Sequence, residues 1–202
     1  MSKISQADID VLFNGARTFF TWAVYGTAGA VIIGVPIGFL TAVYLAKMAP
    51  TAANCQPARI VFVVSEEAKK KLEPCLDPGN VKKTMTAPVT AIIAGDTAFY
   101  THFDKLYPIS DVRAWYEGKP DLIEDTMLRN TALQGAYLIM AARALGLDCG
   151  PMSGFNNKMV DDVFFKGTTY KSNFLCNLGY GSREKMYPRL PRFDFDEACK
   201  II

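Results

Sequence analysis

Three short runs of apolar and β-branched residues predict buried β-strands along the chain. They are "RIVFVVS" at residues 59–65, "APVTAIIAGD" at residues 87–96 and "SNFLCNLGYG" at residues 172–181. Each run has the length of a strand and is bounded by Pro, Gly or Ser. The pattern therefore predicts a small sheet built from segments far apart in the chain.

Helical patterns occupy the stretches between these runs. Ser5 precedes a first apolar pattern, and Ser65 precedes a charged stretch that breaks near Pro74. The segment "LDPGN" is typical of a turn, while "VKKTMT" and "NKMVDDVFF" predict short helices. The proline-rich tail ends in "FDFDEACKII", which has a short helical pattern.

The longest regular pattern begins at Pro120 and ends near Gly146. Proline suits the first turn of a helix, and glycine suits the residue that follows its last turn. The interior, "MLRNTALQGAYLIMAARAL", is apolar almost all round, which predicts a central, buried helix. The segment "GLDCGPMSGF" that follows predicts a loop.

The order of these elements favours the α+β class. Strands and helices do not alternate as regular βαβ units, so we expect a small mixed sheet flanked by helices. A chain of 202 residues with half of its residues hydrophobic is expected to form one domain, residues 1–202.

The charge balance excludes some partners. Lys and Arg total 22 against 20 for Asp and Glu, a net charge of +2, and no basic cluster is present. Nucleic acid is therefore not expected as a ligand. The densest charge run, "EEAKKKLE" at residues 66–73, has mixed signs at helical spacing, which predicts a solvated helix face.

The cysteines and the single histidine limit the possible chemistry. Five scattered cysteines form no CxxC pair, and His102 stands alone, so no metal site is predicted. His102 is interpreted as a partly buried or substrate-proximal residue. Scattered free thiols and the absence of a signal-peptide pattern at the start favour a cytoplasmic protein.

The sequence contains neither a P-loop nor a GxGxxG fingerprint, and no GxSxG elbow. The remaining polar candidates are single residues. Asn80 and Lys83 share one face of a helical turn, while Arg17, Arg189 and Arg192 could hold an anion. Alone, these residues predict an anionic ligand bound by arginines.

A series of segments in order resembles the FMN-dependent nitroreductase family. They include "LFNGART", "LAKMAPTAANCQPARIVFV", "GNVKKTMTAPVTAIIAGD", "RNTALQGAYLIMAARALGLDCGPMSGF" and "YPRLPRFDFDEAC". Within the family they look like the malonic semialdehyde reductase (3-hydroxypropanoate dehydrogenase) branch of pyrimidine degradation. The resemblance covers nearly the whole chain except residues 19–44, and it implies a nitroreductase-like fold.

The resemblance also implies which residues bind FMN. Arg17 and Thr18 would meet the FMN phosphate, together with Arg189 and Arg192, although which tail arginine does so is left open. Guanidinium groups suit a phosphate because they bind it bidentately.

The rest of the implied site surrounds the flavin ring. Asn80 and Lys83 would face its pyrimidine end, and Asn54 and Gln56 would line the opening. Backbone contacts near the reactive N5 atom would come from a four-residue stretch: Pro151, Met152, Ser153 and Gly154.

The activity implied by the resemblance is hydride transfer from NADH or NADPH through FMN by a ping-pong mechanism. The substrate would be malonic semialdehyde, reduced to 3-hydroxypropanoate, or another small aldehyde, enal or nitro compound. No side chain would act as acid or base; Lys83 would stabilise negative charge on the flavin. Members of the family form homodimers with the flavin in the interface.

Residues 18–46 depart from this family pattern because they carry no charge at all. Such a run could span a bilayer, could be an unusual buried helix, or could result from a compensated frameshift. A spanning segment would separate Arg17 from Lys83, which should converge on one flavin, so a membrane anchor is not expected. We predict burial in a homodimer, with Tyr44 in a core stripe. The alternative is an inactive or membrane-tethered protein.

Overall fold

A computed structural model describes residues 44–182, Glu184 and residues 187–202. The predicted first helix, Arg17, Thr18 and most of the apolar run 18–46 lie outside the described residues. Residues 44–46 are helical, and Ala46 is buried. Tyr44, however, is 57% exposed, so its predicted place in a core stripe is wrong for the single chain.

Four strands form one sheet in the order β1–β2–β4–β3, and all three pairings are antiparallel. Their bounds are β1 Ala58–Val63, β2 Val89–Asp96, β3 Asp148–Met152 and β4 Tyr170–Gly179. The three predicted strands are confirmed. The parallel pairing of a mixed sheet is not found among the described strands.

The third strand corrects the prediction of a loop at "GLDCGPMSGF". Asp148–Met152 pairs along its length with β4, although it contains both Gly150 and Pro151. This strand lies at the edge of the sheet, where the missing N–H of a proline can face away from the ladder. The prediction of a loop was wrong because it rested on the local Gly and Pro residues, which give no information on the pairing with β4.

Besides the helical residues 44–46, six α-helices are described, together with short 3-10 turns. Their bounds are α1 Glu66–Leu72, α2 Pro78–Thr86, α3 Phe103–Leu106, α4 Pro120–Ala144, α5 Asn157–Phe164 and α6 Phe195–Ala198. The 3-10 turns are Ala52–Asn54, Glu73–Cys75, Phe99–His102 and Arg113–Trp115.

The ends of these helices follow local sequence signals. Ser65 caps α1, since its hydroxyl accepts a hydrogen bond from the backbone N–H of Ala68. The last three residues of the predicted turn "LDPGN" and the predicted helix "VKKTMT" form one helix, α2, because Pro78 occupies its first turn. Gly146 follows α4 with φ of 84°, as expected of a C-terminal glycine.

The sheet is covered on both faces, which confirms the α+β class. Helices α1 and α5 cover one face, where Leu72 and Val160 pack with Ile92 of β2. Helix α4 covers the other face, where Leu138 packs with Ile93. Alternate residues of β2 thus enter opposite cores, as the period of a strand requires.

Helix α4 is buried on one side only, which corrects the prediction of burial all round. Leu138 and Ala142 are fully buried against the sheet, whereas Leu133, Tyr137 and Met140 are exposed, Met140 by 70%. Leu133, Tyr137 and Met140 are spaced so that they share one face of the helix. An apolar stripe therefore remains on the surface of the single chain.

The charged helix α1 also differs from its prediction at one position. Glu66 pairs with Lys70 and Glu67 with Lys71 on the solvated face, as predicted. Lys69, in contrast, is only 5% exposed.

Among the described residues, no helix has the length and apolar character needed to cross a bilayer.

Candidate functional site

The first group of predicted site residues meets at the β3 edge of the sheet. The side-chain amide of Asn80, in the first turn of α2, donates a hydrogen bond to the carbonyl oxygen of Gly154 over 2.6 Å. The backbone N–H of Asp77 donates to the same oxygen over 3.1 Å. Two donors thus fix the end of the segment 151–154 against the start of α2.

Close packing at this contact explains the glycine. A Cβ atom at position 154 would lie 2.4 Å from Asn80 Nδ2 and 3.0 Å from an Asp77 carboxylate oxygen. Any side chain would therefore displace Asn80 from the Gly154 carbonyl. The segment 151–154 is partly exposed: Pro151 and Ser153 are exposed, whereas Met152 is buried.

Lys83 extends the same group by one helical turn. It lies three residues after Asn80 in α2 and is exposed. Within the described part of the chain, its ammonium group has no hydrogen-bond or ion-pair partner. The arrangement places a solvated cation beside a fixed amide, which suits a ligand with carbonyl oxygens and developing negative charge.

The second group lies in the loop before β1. Asn54 donates to the backbone carbonyl of Leu106 over 2.7 Å, and Gln56 donates to the Asn54 side-chain oxygen over 2.7 Å. The backbone is strained here: φ is positive at Ala53, Asn54 and Gln56. Such strain persists only where surrounding contacts impose it, and it is common at functional sites.

Buried polar residues of α4 impose this loop conformation. Asn130 accepts a hydrogen bond from the N–H of Ala52 over 2.8 Å, and Gln134 accepts one from Ala58 over 2.9 Å. One helical turn separates Asn130 from Gln134, so the same face of α4 holds both ends of the loop.

An ion pair supports the loop from the β1 side. Arg59 contacts the buried carboxylate of Asp96 over 2.7 Å and donates to the carbonyl of Gln56 over 3.1 Å. Asp96 also accepts from Thr169 over 2.6 Å, and His102 Nε2 lies 3.5 Å from it. The His102 side chain is 49% exposed, so its interpretation as partly buried is not confirmed, and its interpretation as substrate-proximal stays a prediction.

A cavity of about 460 Å³ opens beside this loop. Its wall includes Gln56 and four basic side chains: Lys47, Arg59, His102 and Lys105. Only Arg59 and His102 of these contact a carboxylate among the described residues. The cavity is therefore suited to an anionic or strongly polar small molecule.

The predicted arginines are not part of either group. Arg189 and Arg192 are exposed in the tail, where Arg192 donates only to the nearby carbonyls of Leu190 and Pro191. Arg17 and Thr18 lie outside the described residues. The described chain thus brings no arginine of the predicted phosphate site to Asn80 or to Asn54.

The two groups lie at opposite edges of the sheet. The Asn80 group adjoins β3 and the Asn54 group adjoins β1, the two edge strands. Three strand spacings of ~4.8 Å separate these edges, roughly 14 Å. Within one chain the predicted site residues therefore form two half-sites.

Several supporting residues were not anticipated from the sequence as candidates. Asn130 and Gln134 had one available signal, since they are polar positions four residues apart in an otherwise apolar helix. No signal in the sequence marked Arg59 and Asp96, because their pairing depends on the alignment of β1 with β2.

Comparison with known proteins places this chain in one family. Residues 2–180 match the model of the Nitroreductase family. A Burkholderia lata protein named as an NADH dehydrogenase/NAD(P)H nitroreductase is 50% identical over 201 residues, covering 100% of both chains. The chain therefore belongs to the nitroreductase family.

Solved structures of distant relatives share the fold. A nitroreductase from Exiguobacterium sibiricum in complex with FMN superposes with a TM-score of 0.71 at 22% identity, covering 81% of this chain and 85% of that one. An NAD(P)H:FMN oxidoreductase from Staphylococcus epidermidis gives 0.73 at 21% identity, with coverages of 83% and 85%. These likenesses confirm the nitroreductase-like α+β fold.

Proposed function

We propose that the protein is an FMN-dependent NAD(P)H oxidoreductase that reduces malonic semialdehyde to 3-hydroxypropanoate. The observation that carries this proposal is the contact of Asn80 with Gly154, with the exposed cation of Lys83 one helical turn away. These are the residues that the resemblance assigns to the flavin ring.

The residues present fit the ring of FMN. The pyrimidine end of the flavin carries carbonyl oxygens and ring nitrogens, which an amide and an ammonium group can bind. Only glycine fits at position 154 while Asn80 holds its place. When bound, FMN would accept a hydride from NADH or NADPH and pass it to the substrate carbonyl carbon.

Lys83 would have an electrostatic role at this site. Reduction places negative charge at the pyrimidine end of the flavin, and a fixed ammonium group there lowers its free energy. Asn80, held by the Gly154 carbonyl, would orient the ring rather than transfer a proton. Neither residue acts as an acid or a base in this proposal.

A second copy of the chain would complete the site. The Asn80 and Asn54 groups lie at opposite edges of one sheet, so a homodimer could bring one group from each subunit to the same flavin. The exposed apolar stripe of α4, Leu133, Tyr137 and Met140, supports such an interface. Arg189 or Arg192, on the exposed tail, would reach the phosphate in that assembly together with Arg17 and Thr18.

The names of relatives support the redox assignment. The Burkholderia lata relative is named for NADH or NAD(P)H chemistry, and the Exiguobacterium sibiricum structure contains FMN. A substrate with a carboxylate suits the basic side chains around the cavity beside Gln56. We propose residues 1–202 as a single cytoplasmic domain, a proposal that includes the apolar run 18–46.

An inactive or membrane-tethered protein is the less favoured alternative. The relative with 50% identity aligns over the full chain, including the region of the apolar run. A functional family member is therefore the simpler interpretation.

The absorbance spectrum of the protein purified without detergent tests the proposal directly. We expect a yellow dimer with bound FMN that oxidises NADPH or NADH when malonic semialdehyde is added. Acetaldehyde, which lacks the carboxylate, is the matched control and should be reduced more slowly. Colourless protein that does not bind added FMN would reject the cofactor, and equal rates with both aldehydes would reject the substrate.

A further inference from the structure

Lys69 is the most deeply buried cation described outside the two half-sites. It lies in α1 directly before the exposed Lys70 and Lys71, yet only 5% of its surface is exposed. Its ammonium group donates to the backbone carbonyl of Thr84 over 2.8 Å and to the hydroxyl of Thr90 over 2.7 Å. Among the described residues, no carboxylate pairs with it.

The Thr84 carbonyl needs this donor because of the proline that follows α2. A carbonyl in the last turn of a helix would accept from the backbone N–H four residues later. That position is Pro88, which has no N–H. Lys69 supplies the missing donor, and its positive charge also favours the C-terminal end of a helix.

A chain of hydrogen bonds continues from this contact toward the segment 151–154. The Thr90 hydroxyl donates to Asn177 over 2.7 Å, and the Asn177 amide donates to the Thr84 hydroxyl over 3.2 Å. That hydroxyl lies 3.5 Å from the sulfur of Met152. Lys69 is therefore linked both to the last turn of α2 and to the segment that contacts Asn80.

The burial of this lysine is costly. Removing an ammonium group from water disfavours its charged form, and burial lowers the pKa of Lys69 to about 8. A methionine could fill a similar volume without that cost. Unlike a methionine, the lysine holds the last turn of α2, the helix that carries Asn80 and Lys83.

We propose that Lys69 is a positioning residue for the flavin site, which acts by fixing the C-terminal turn of α2 and thereby the directions of Asn80 and Lys83. This inference rests on the proposed FMN-binding function, because it assumes that Asn80 and Lys83 contact the flavin. The Lys69 ammonium group donates to the Thr84 carbonyl and the Thr90 hydroxyl and not to either of these side chains, so its proposed role is indirect.

Lys69→Met tests this role, with Lys70→Met as the matched control. Lys70 is the next residue of α1, but it is exposed and pairs with Glu66. We expect the FMN dissociation constant, measured by flavin fluorescence, to rise about tenfold in Lys69→Met, a free-energy change of about 1.4 kcal/mol. The control should stay within about twofold, since exposed pairs contribute little.

Coupling to Lys83 separates positioning from a general loss of stability. If Lys69 acts through α2, adding Lys69→Met to Lys83→Ala should weaken FMN binding by less than it does in the wild-type background. Equal effects in both backgrounds, or a lower melting temperature with unchanged FMN affinity, would overturn the positioning role.

A second variant keeps the test decisive if Lys69→Met does not fold. Thr90→Val preserves shape but removes one acceptor of the Lys69 ammonium, and it should raise the FMN dissociation constant about threefold. Unchanged affinity in that variant would overturn the inference alone, whereas failure of the wild-type protein to bind FMN would overturn the proposed function as well.

Discussion

The side-chain amide of Asn80 lies 2.6 Å from the carbonyl oxygen of Gly154, so the start of α2 is joined to the segment that follows β3. These residues are 74 positions apart in the chain. The contact forms because β3 pairs with β4 at the edge of the sheet and ends beside α2. It joins the residues proposed to face the pyrimidine end of the flavin to the segment proposed to lie near its N5 atom.

Gly154→Ala should weaken FMN binding while leaving the fold intact. The new Cβ would lie 2.4 Å from Asn80 Nδ2, so the Asn80 side chain must rotate away. We expect an FMN dissociation constant about tenfold higher, which corresponds to the loss of roughly one hydrogen bond. Gly79→Ala is the control, since a Cβ there meets nothing within 4 Å. The Gly79→Ala control should be more stable than the wild type by about 0.5–1 kcal/mol, because alanine favours a helix over glycine. Equal FMN affinity in the two variants would contradict the packing argument.

Lys83→Ala should slow reduction of the flavin without changing the melting temperature. Removing a fixed charge beside developing negative charge should cost about 2–4 kcal/mol of transition-state stabilisation. Anaerobic stopped-flow mixing with NADPH measures this step directly. Lys82→Ala removes a neighbouring exposed lysine of the same helix and should reduce at the wild-type rate. If the two variants react equally fast, Lys83 is not the stabilising charge.

Lys69 should give the stability of the protein a distinct pH dependence. Its pKa is about 8 in the folded chain against 10.5 for an ordinary lysine, because burial disfavours the charged form. Between these values the unfolded chain binds more protons, so the free energy of unfolding should rise with pH from about 8 to 10.5. The slope should exceed that of Lys69→Met by up to about 1.4 kcal/mol per pH unit. Urea denaturation of both proteins across this range measures the difference, and parallel curves would refute it.

Asp96→Asn should destabilise the loop that carries Asn54 and Gln56. The buried Asp96 carboxylate holds Arg59, which in turn holds the Gln56 carbonyl. Loss of its charge should cost about 1–3 kcal/mol of unfolding free energy, measured by urea denaturation. Asp104→Asn breaks an exposed pair with Arg113 instead and should cost less than about 1 kcal/mol. A smaller loss in Asp96→Asn than in Asp104→Asn would contradict this role.

Met140→Glu should convert the proposed dimer to a monomer. Met140 belongs to the exposed apolar stripe of α4, and a carboxylate buried in an interface there would lack a partner. Light scattering after size-exclusion chromatography measures the mass, and the monomer should also lose FMN. Val163→Glu alters an exposed apolar residue of α5, on the other face of the sheet, and should remain dimeric. A dimeric Met140→Glu protein would place the interface elsewhere.

The sequence by itself determined the local elements of this protein. Short apolar runs bounded by Pro, Gly or Ser predicted β1, β2 and β4, and the Ser65 cap and the Pro120 and Gly146 signals marked helix ends that the structure confirms. These features depend on the preferences of neighbouring residues, which a local pattern contains. The order of matching segments also predicted the family, which the comparisons confirm, whereas the substrate that it implies stays a proposal.

Only the tertiary structure decided features that join distant segments. The strand Asp148–Met152 exists because β4 pairs with it, against its own Gly and Pro content. Lys69 is buried with its ammonium group on the Thr84 carbonyl and the Thr90 hydroxyl, although Lys70 and Lys71 of the same charge run are exposed. In each case the deciding contact joins residues that are distant in the sequence, so the local pattern of apolar and polar residues could not predict it.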